Sequence, residues 1–273
     1  MIASIYSSLS ALNAFGKGMQ VKSNNLANVN TVGFKSRTST CQDLASQSIS
    51  TASGTSQVGR GCALSSIDDT LHQGPIQNTG SSTDLAIEGE GFFVLRRSEN
   101  DETVYSRAGN FRFNAEGTLV NSEGYAVQGW RLDENGERVG SLEGIRLDAA
   151  VGQEAGDPTG VEVQRDGTVE GRFSDGNTVP LYQVAEARFS NPQGLEKAGG
   201  NLYRETGDSG APVTGSPGSN GLGEIVGHAM EHSNVDMARE ITGSIPLQRG
   251  YEANLKVIQT EDEMLGSLLD IMG

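Results

Sequence analysis

The chain reads as an α+β protein, with paired N- and C-terminal helices forming one discontinuous helical domain around an all-β, sandwich or barrel-like middle domain. Three observations predict this. Apolar residues recur at helical spacing at both ends, short apolar runs broken by glycines fill the middle, and Ser, Thr, Gln, Gly and Pro dominate the joining segments. A length of 273 residues allows a sizeable core and one or two domains. With 35% hydrophobic residues, 5% aromatic and 37 glycines, the composition is lean in core formers, so part of the order is expected to come from partners.

The first helical segment lies within 1–35. From Ile5, apolar side chains return at Leu9, Leu12, Met19 and Leu26, a seam that needs another helix against it. An isolated helix of about 25 residues is only marginally stable in water. The matching seam lies within 228–273, at Met237, Ile241, Tyr251, Leu255, Ile258, Leu265, Leu269 and Met272. Between Ser23 and Thr31 the side chains of Asn24, Asn25, Asn28 and Asn30 compete with the backbone for hydrogen bonds, so the helix should fray or turn there. So many amides exceed what a helix cap requires and read as a polar contact surface, with Asn28 part of it. Gly33 then permits a tight reversal.

Residues 36–75 read as an extended linker, being Ser, Thr, Gln and Gly with scattered apolar positions. Cys41 and Cys62 fall here; two cysteines allow a disulfide but do not make a disulfide framework, and free thiols are expected.

The β domain is expected over 76–206. Leu85–Ile87 and Phe92–Leu95, separated by Gly89 and Gly91, read as two strands or one bulged strand. Short runs at Val104, Phe111, Leu119 and Tyr125 follow, spaced by Gly109, Gly117 and Gly124. Asp166-Gly167 and Asp175-Gly176 separate three further runs and predict a β-meander, because the tight turn demands positive φ. Residues 207–227 read as a Gly/Ser/Pro-rich return linker. Ser233 is the expected N-cap of the last helix. Gly243 and Pro246 fall inside that helix, and a proline costs about 3 kcal/mol unless the helix bends or restarts, so a kink is expected near Ile245.

The net charge of -15, with no basic cluster, argues against nucleic acid. No apolar run reaches the roughly 18 residues of a membrane span, so no membrane insertion is expected, and the start lacks the pattern of a cleaved secretory signal. His228-Ala229-Met230-Glu231-His232 has the spacing of a zinc-hydrolase helix, but no third ligand or cleft accompanies it, and a solvated helix entry is the better reading. The stretch from Asp133 to Gly136, which includes Glu134 and Asn135, lacks the remaining ligands of a calcium loop. Gly89-Glu90-Gly91 lacks the rest of a dinucleotide fingerprint, and no G-x-S-x-G elbow occurs. No catalytic, cofactor-binding or metal residues are assigned, and the chain is not expected to be an enzyme.

Several blocks together carry a resemblance. Ser8-Leu9-Ser10-Ala11-Leu12, the asparagine-rich run from Ser23 to Lys35, Thr83 to Phe93, Tyr105 to Phe111, Ser233-Asn234-Val235-Asp236 and Gln248 to Asn254 are similar to segments of the bacterial flagellar rod and hook proteins. The resemblance implies a structural subunit that stacks into a helical tube around an export channel, terminal helices inside and β domain outside. It also implies homo-oligomerisation, contact with other axial proteins and with a hook or rod cap, and delivery by the flagellar export apparatus without a cleaved signal peptide. Tyr182-Gln183-Val184-Ala185 and Asn191 to Leu195 look hook-like, which favours a short hook-type subunit in the hook or basal body. Typical hook proteins carry a further outer β domain that this chain is too short to hold, so a distal-rod subunit is the alternative. A coiled-coil binding module is a third reading.

Overall fold

The computed structural model describes residues 2–51, 54–97, 102–133, 136–147, 158–174 and 176–272. They form two compact units, one of residues 1–29, 36–70 and 235–273, the other of 30–35 and 71–234.

In the helical unit, α1 (Ile2–Ala27) and α2 (Met237–Met272) pack antiparallel. Their register follows from the contacts: Asn25 and Lys22 meet Glu240, Gly18 lies against Leu247, and Phe15 covers Gly250. A Cβ on Gly250 would lie 2.9 Å from the Phe15 ring, so the glycine lets the two helices approach this closely without displacing that ring. α1 continues through the asparagine-rich stretch to Ala27 before turning, because the buried Asn25 finds partners that keep it in the helix. α2 is capped by Asp236, whose Oδ1 accepts from the amides of Ala238 (2.9 Å) and Arg239 (3.2 Å). Ser233, the expected cap, is instead buried in the β unit. Pro246 neither stops nor restarts α2, which is a single element through it. In that turn Thr242 Oγ1 and Ser244 Oγ donate to the carbonyls of Ala238 and Ile241.

The segment read as an extended linker contains ladders. Arg37–Asp43 pairs antiparallel with Cys62–Asp69, with a bulge between Thr40 and Cys41, and Gln47–Thr51 pairs with Gly54–Val58. Backbone pairing needs no apolar side chains, which is why composition concealed it. Both cysteines are free thiols: Cys41 lies opposite Leu64 and Cys62 opposite Asp43. Such diagonal neighbours stand about 7–8 Å apart, beyond the reach of an unstrained disulfide. The arm is tied to α1 at Gly61, whose φ of +98° no side chain adopts easily, and where Ser10 Oγ accepts the Cys62 amide at 3.3 Å.

The β unit is built on a sheet of thirteen strands among the described residues. Its main path runs Pro158–Val163, Thr168–Phe173, Thr178–Val184, Ala126–Leu132, Phe92–Arg97, Glu102–Ser106, Leu202–Arg204, Glu196–Gly199, all neighbours antiparallel. The first three are the expected meander, turning through Gly167 and Gly176 at positive φ; Asp175 lies outside the described residues, as do Glu134 and Asn135 of the loop beyond Asp133. Phe92–Arg97 is buried on both faces. Phe93 and Leu95 join the larger core with Val127, Leu181 and Ile225, while Phe92 and Val94 join a second with Tyr105, Phe189 and Tyr203. This two-sided burial explains a continuous apolar run where a half-exposed strand would alternate.

The return segment 207–227 is also part of this body. Val213–Gly215 pairs with Glu186–Arg188, and Glu224–Gly227 pairs with Leu85–Glu88. Ala229–Glu231 then pairs with Ile76–Asn78, so helical structure starts at Met237 and not at 228, and residues 30–35 belong to the β unit. The glycines and prolines that suggested a linker supply turns between very short strands.

Candidate assembly surfaces

The helices present two different sets of residues. The face each turns to the other holds Phe15, Gly18, Lys22 and Asn25 on α1, and Glu240, Gly243, Leu247 and Gly250 on α2, small and polar residues among them that permit close approach. Of the residues expected to form the seam, Leu12 is buried and Ile5, Met19, Asn28, Tyr251 and Ile258 are half-buried. Leu9, Leu26, Met237, Ile241, Leu255, Leu265 and Leu269 are exposed. The side chain of Met272 lies outside the described residues. The internal seam is therefore rotated from the apolar stripe, because glycines and an asparagine–glutamate node bring the backbones together where larger side chains could not.

That node was not expected from the sequence. Asn25 Nδ2 donates to the Arg37 carbonyl (2.8 Å) and to Glu240 Oε2 (3.1 Å), and its Oδ1 accepts the Arg37 amide (2.9 Å). Lys22 Nζ completes the pairing at 3.2 Å from Glu240. One fully buried amide thus joins α1, α2 and the first strand of the arm, and its three hydrogen bonds meet the demand of its buried polar atoms.

The β unit holds a second buried polar centre. Glu231 is fully buried; its Oε1 accepts from Lys35 Nζ at 2.5 Å and from the Gly74 amide at 2.8 Å, and its Oε2 lies 3.5 Å from Arg107 Nη1. Lys35 Nζ also donates to the His72 carbonyl and Arg107 Nη2 to the Gly89 carbonyl. Burial lowers the pKa values of Lys35 and Arg107, while the Glu231 charge opposes the shift. Glu186 is fully buried too, with both carboxylate oxygens unpartnered, and burial pushes its pKa up to about 8 against the pull of Arg107.

This centre disposes of both readings of the His228–His232 motif. His228 sits in a left-handed turn at φ 56° and Ala229–Glu231 is a strand, neither a zinc-binding helix nor a helix entry. Successive side chains of a strand point to opposite faces, so Glu231 turns inward while its neighbours do not. Among the described residues no group of three or more His, Cys, Asp or Glu side chains is placed to hold a metal. Among the described residues no helix is long and apolar enough to cross a membrane.

Three family models match: "Flagella basal body rod protein" over residues 5–35, "Flagellar hook protein FlgE/F/G D1 domain" over 86–171, and "Flagellar basal body rod FlgEFG protein C-terminal" over 226–271. The chain is similar to the flagellar basal-body rod protein FlgG of Bacillus subtilis, 38% identical with 99% of each chain covered. It is also 38% identical to FlgG of Caulobacter vibrioides, with 90% of each covered. Against the hook protein FlgE of Borreliella burgdorferi identity falls to 26%, over an alignment of 440 positions covering 98% of this chain and 99% of the hook protein. The excess over 273 residues is hook-protein sequence with no counterpart here. The chain belongs to the FlgE/F/G family of flagellar basal-body rod and hook proteins, a family of structural subunits.

Proposed function

We propose that this chain is a rod subunit of the flagellar basal body, the distal-rod alternative and not the hook-type subunit that its short motifs favoured. Copies assemble through their terminal helices into an open helical tube that carries motor torque and surrounds the export channel. The observation that carries the reading is similarity to FlgG over nearly the full length of both chains, against a hook relative that is more distant and much longer. The blocks that looked hook-like lie in β-body strands and turns, such as Thr178–Val184, where packing constrains sequence whatever the mechanical role.

Apolar residues on the outer sides of α1 and α2, Leu9, Leu26, Ile241, Leu255 and Leu269 among them, supply what neighbouring subunits would cover. Heterologous contacts that do not close into a ring generate the open helix that a tube requires. On this reading the partners are further copies, other axial proteins, a rod cap and the flagellar export apparatus. Complementation tests the assignment. Expression in a strain lacking FlgG should restore swimming, and expression in a strain lacking FlgE should not; the reverse pattern would return the chain to the hook.

A further inference from the structure

The last turns of α2 are apolar, acidic and uncovered. Met264, Leu265, Leu268, Leu269 and Ile271 are 36–82% exposed. Among them stand Asp262, Glu263 and Asp270, none with an ion-pair partner among the described residues, and no Lys or Arg follows Lys256. The same unit holds a groove of about 1260 Å³, walled by Tyr6 and Leu9 of α1, Leu44 and Val58 of the arm, and Tyr251 of α2. Its wall carries one cation, Arg60, exposed and without an ion-pair partner among the described residues.

Size and charge match. Nine residues of helix are about 13 Å long and about 10 Å wide, a cylinder of roughly 1100 Å³. The groove has that volume, a lining more apolar than polar that includes Ser10, Asn13 and Gln47, and a positive charge, where the helix has an apolar stripe and negative charges. The two cannot meet within one molecule: Tyr251 and residues 264–272 lie on one unbroken helix, about 20 to 32 Å apart along its axis at 1.5 Å per residue, and a helix cannot fold back into a groove that its own earlier turn walls.

We propose that residues 264–272 of one copy lie in this groove of the next, with Met264, Leu268 and Ile271 against Tyr6, Leu9 and Val58, and Asp270 beside Arg60. The contact joins two different patches, so it repeats head to tail and propagates without closing. It rests on the rod-subunit reading and names which surfaces of that subunit meet.

Two experiments on basal bodies isolated from cells test it. In a Cys41→Ser, Cys62→Ser background, chains carrying Arg60→Cys and chains carrying Asp270→Cys are co-expressed and oxidised. Disulfide-linked dimers are expected when both are present and not with either alone; no dimers, with both chains in the basal body, overturns the proposal. With native cysteines retained, Arg60→Glu should lower incorporation at least tenfold and added Asp270→Lys should restore it. Normal incorporation of Arg60→Glu, or no rescue by the second change, overturns it equally. Absence of the wild-type chain from basal bodies defeats the rod-subunit reading instead.

Discussion

Replacing Glu231 with Gln removes one charge from the buried centre of the β unit and leaves the volume almost unchanged, so the response reports electrostatics and not packing. Lys35 is 1% exposed and its Nζ lies 2.5 Å from the Glu231 carboxylate. At an effective dielectric constant of about 20 the gross attraction at that distance is about 6–7 kcal/mol. The loss cannot reach that figure, because Lys35 can shed its proton. Neutralising a lysine of ordinary pKa 10.5 at pH 7 costs about 3.5 pKa units, or about 4.8 kcal/mol. Removing one partner of a buried pair typically costs about 3–5 kcal/mol, in the same range. The β unit should therefore lose about 3–5 kcal/mol at pH 7.

The sign of the pH dependence separates this from a steric defect. In the variant the folded-state pKa of Lys35 falls further below its unfolded value, so the unfolded chain binds more protons and this lysine's contribution to stability rises with pH, by up to about 1.4 kcal/mol per unit, until the unfolded lysine deprotonates near 10.5. The assay is urea unfolding followed by the fluorescence of Trp130, the only tryptophan and a residue of the β unit. A loss below about 1 kcal/mol, or one independent of pH between 7 and 9, would refute the argument.

Glu186 predicts the opposite slope. Its folded pKa of about 8 exceeds the ordinary 4.5, so the folded state holds a proton that the unfolded chain has released, and stability falls as pH rises from about 4.5 through 8. Glu186→Gln should flatten that decline and stabilise the β unit at pH 8 by up to about 4 kcal/mol, read by the same titration. Gly33→Ala would set a Cβ 2.5 Å from the Ala108 backbone nitrogen at a φ of +68°, a clash that no rotamer relieves. A cost of about 3 kcal/mol should lower the melting temperature of the β unit by about 6–12 °C in a calorimeter. Asn25→Asp would bring a second carboxylate to where Glu240 Oε2 now accepts at 3.1 Å. Circular dichroism should show weakened helix pairing, restored when Glu240→Gln is added; equal loss in the double variant would contradict the node.

The terminal helices were legible because their period of apolar residues spans many turns, and the Asp-Gly turn at Gly167 because its backbone demand is local. Their contact face was not legible. Gly18, Gly243 and Gly250 leave no signal on a hydrophobic stripe, yet they decide which sides of the helices approach. The ladders over 37–69 are not legible in the sequence because strands rich in Ser and Thr pair through backbone, with side chains half-buried or exposed and none fully buried. Glu231 was seen only as part of a metal-like spacing. Its partners Lys35 and Arg107 lie 196 and 124 residues away, and only the fold brings them together. The signal that points to them is the length of the asparagine-rich block, which runs beyond a helix cap and includes both Asn25 and Lys35. Choice of hook or rod rested on short blocks within packed strands, which serve the body common to both; whole-length similarity discriminates because it registers the missing insertion.

Electron cryomicroscopy of hook–basal bodies from cells whose FlgG has been replaced by this chain examines the assignment most directly. The chain should appear in the rod, below the hook, with α1 and α2 paired at small radius and the last turns of α2 covered by a neighbouring copy. Density for it in the hook, or terminal helices lying unpaired on the outer surface, would contradict the assignment.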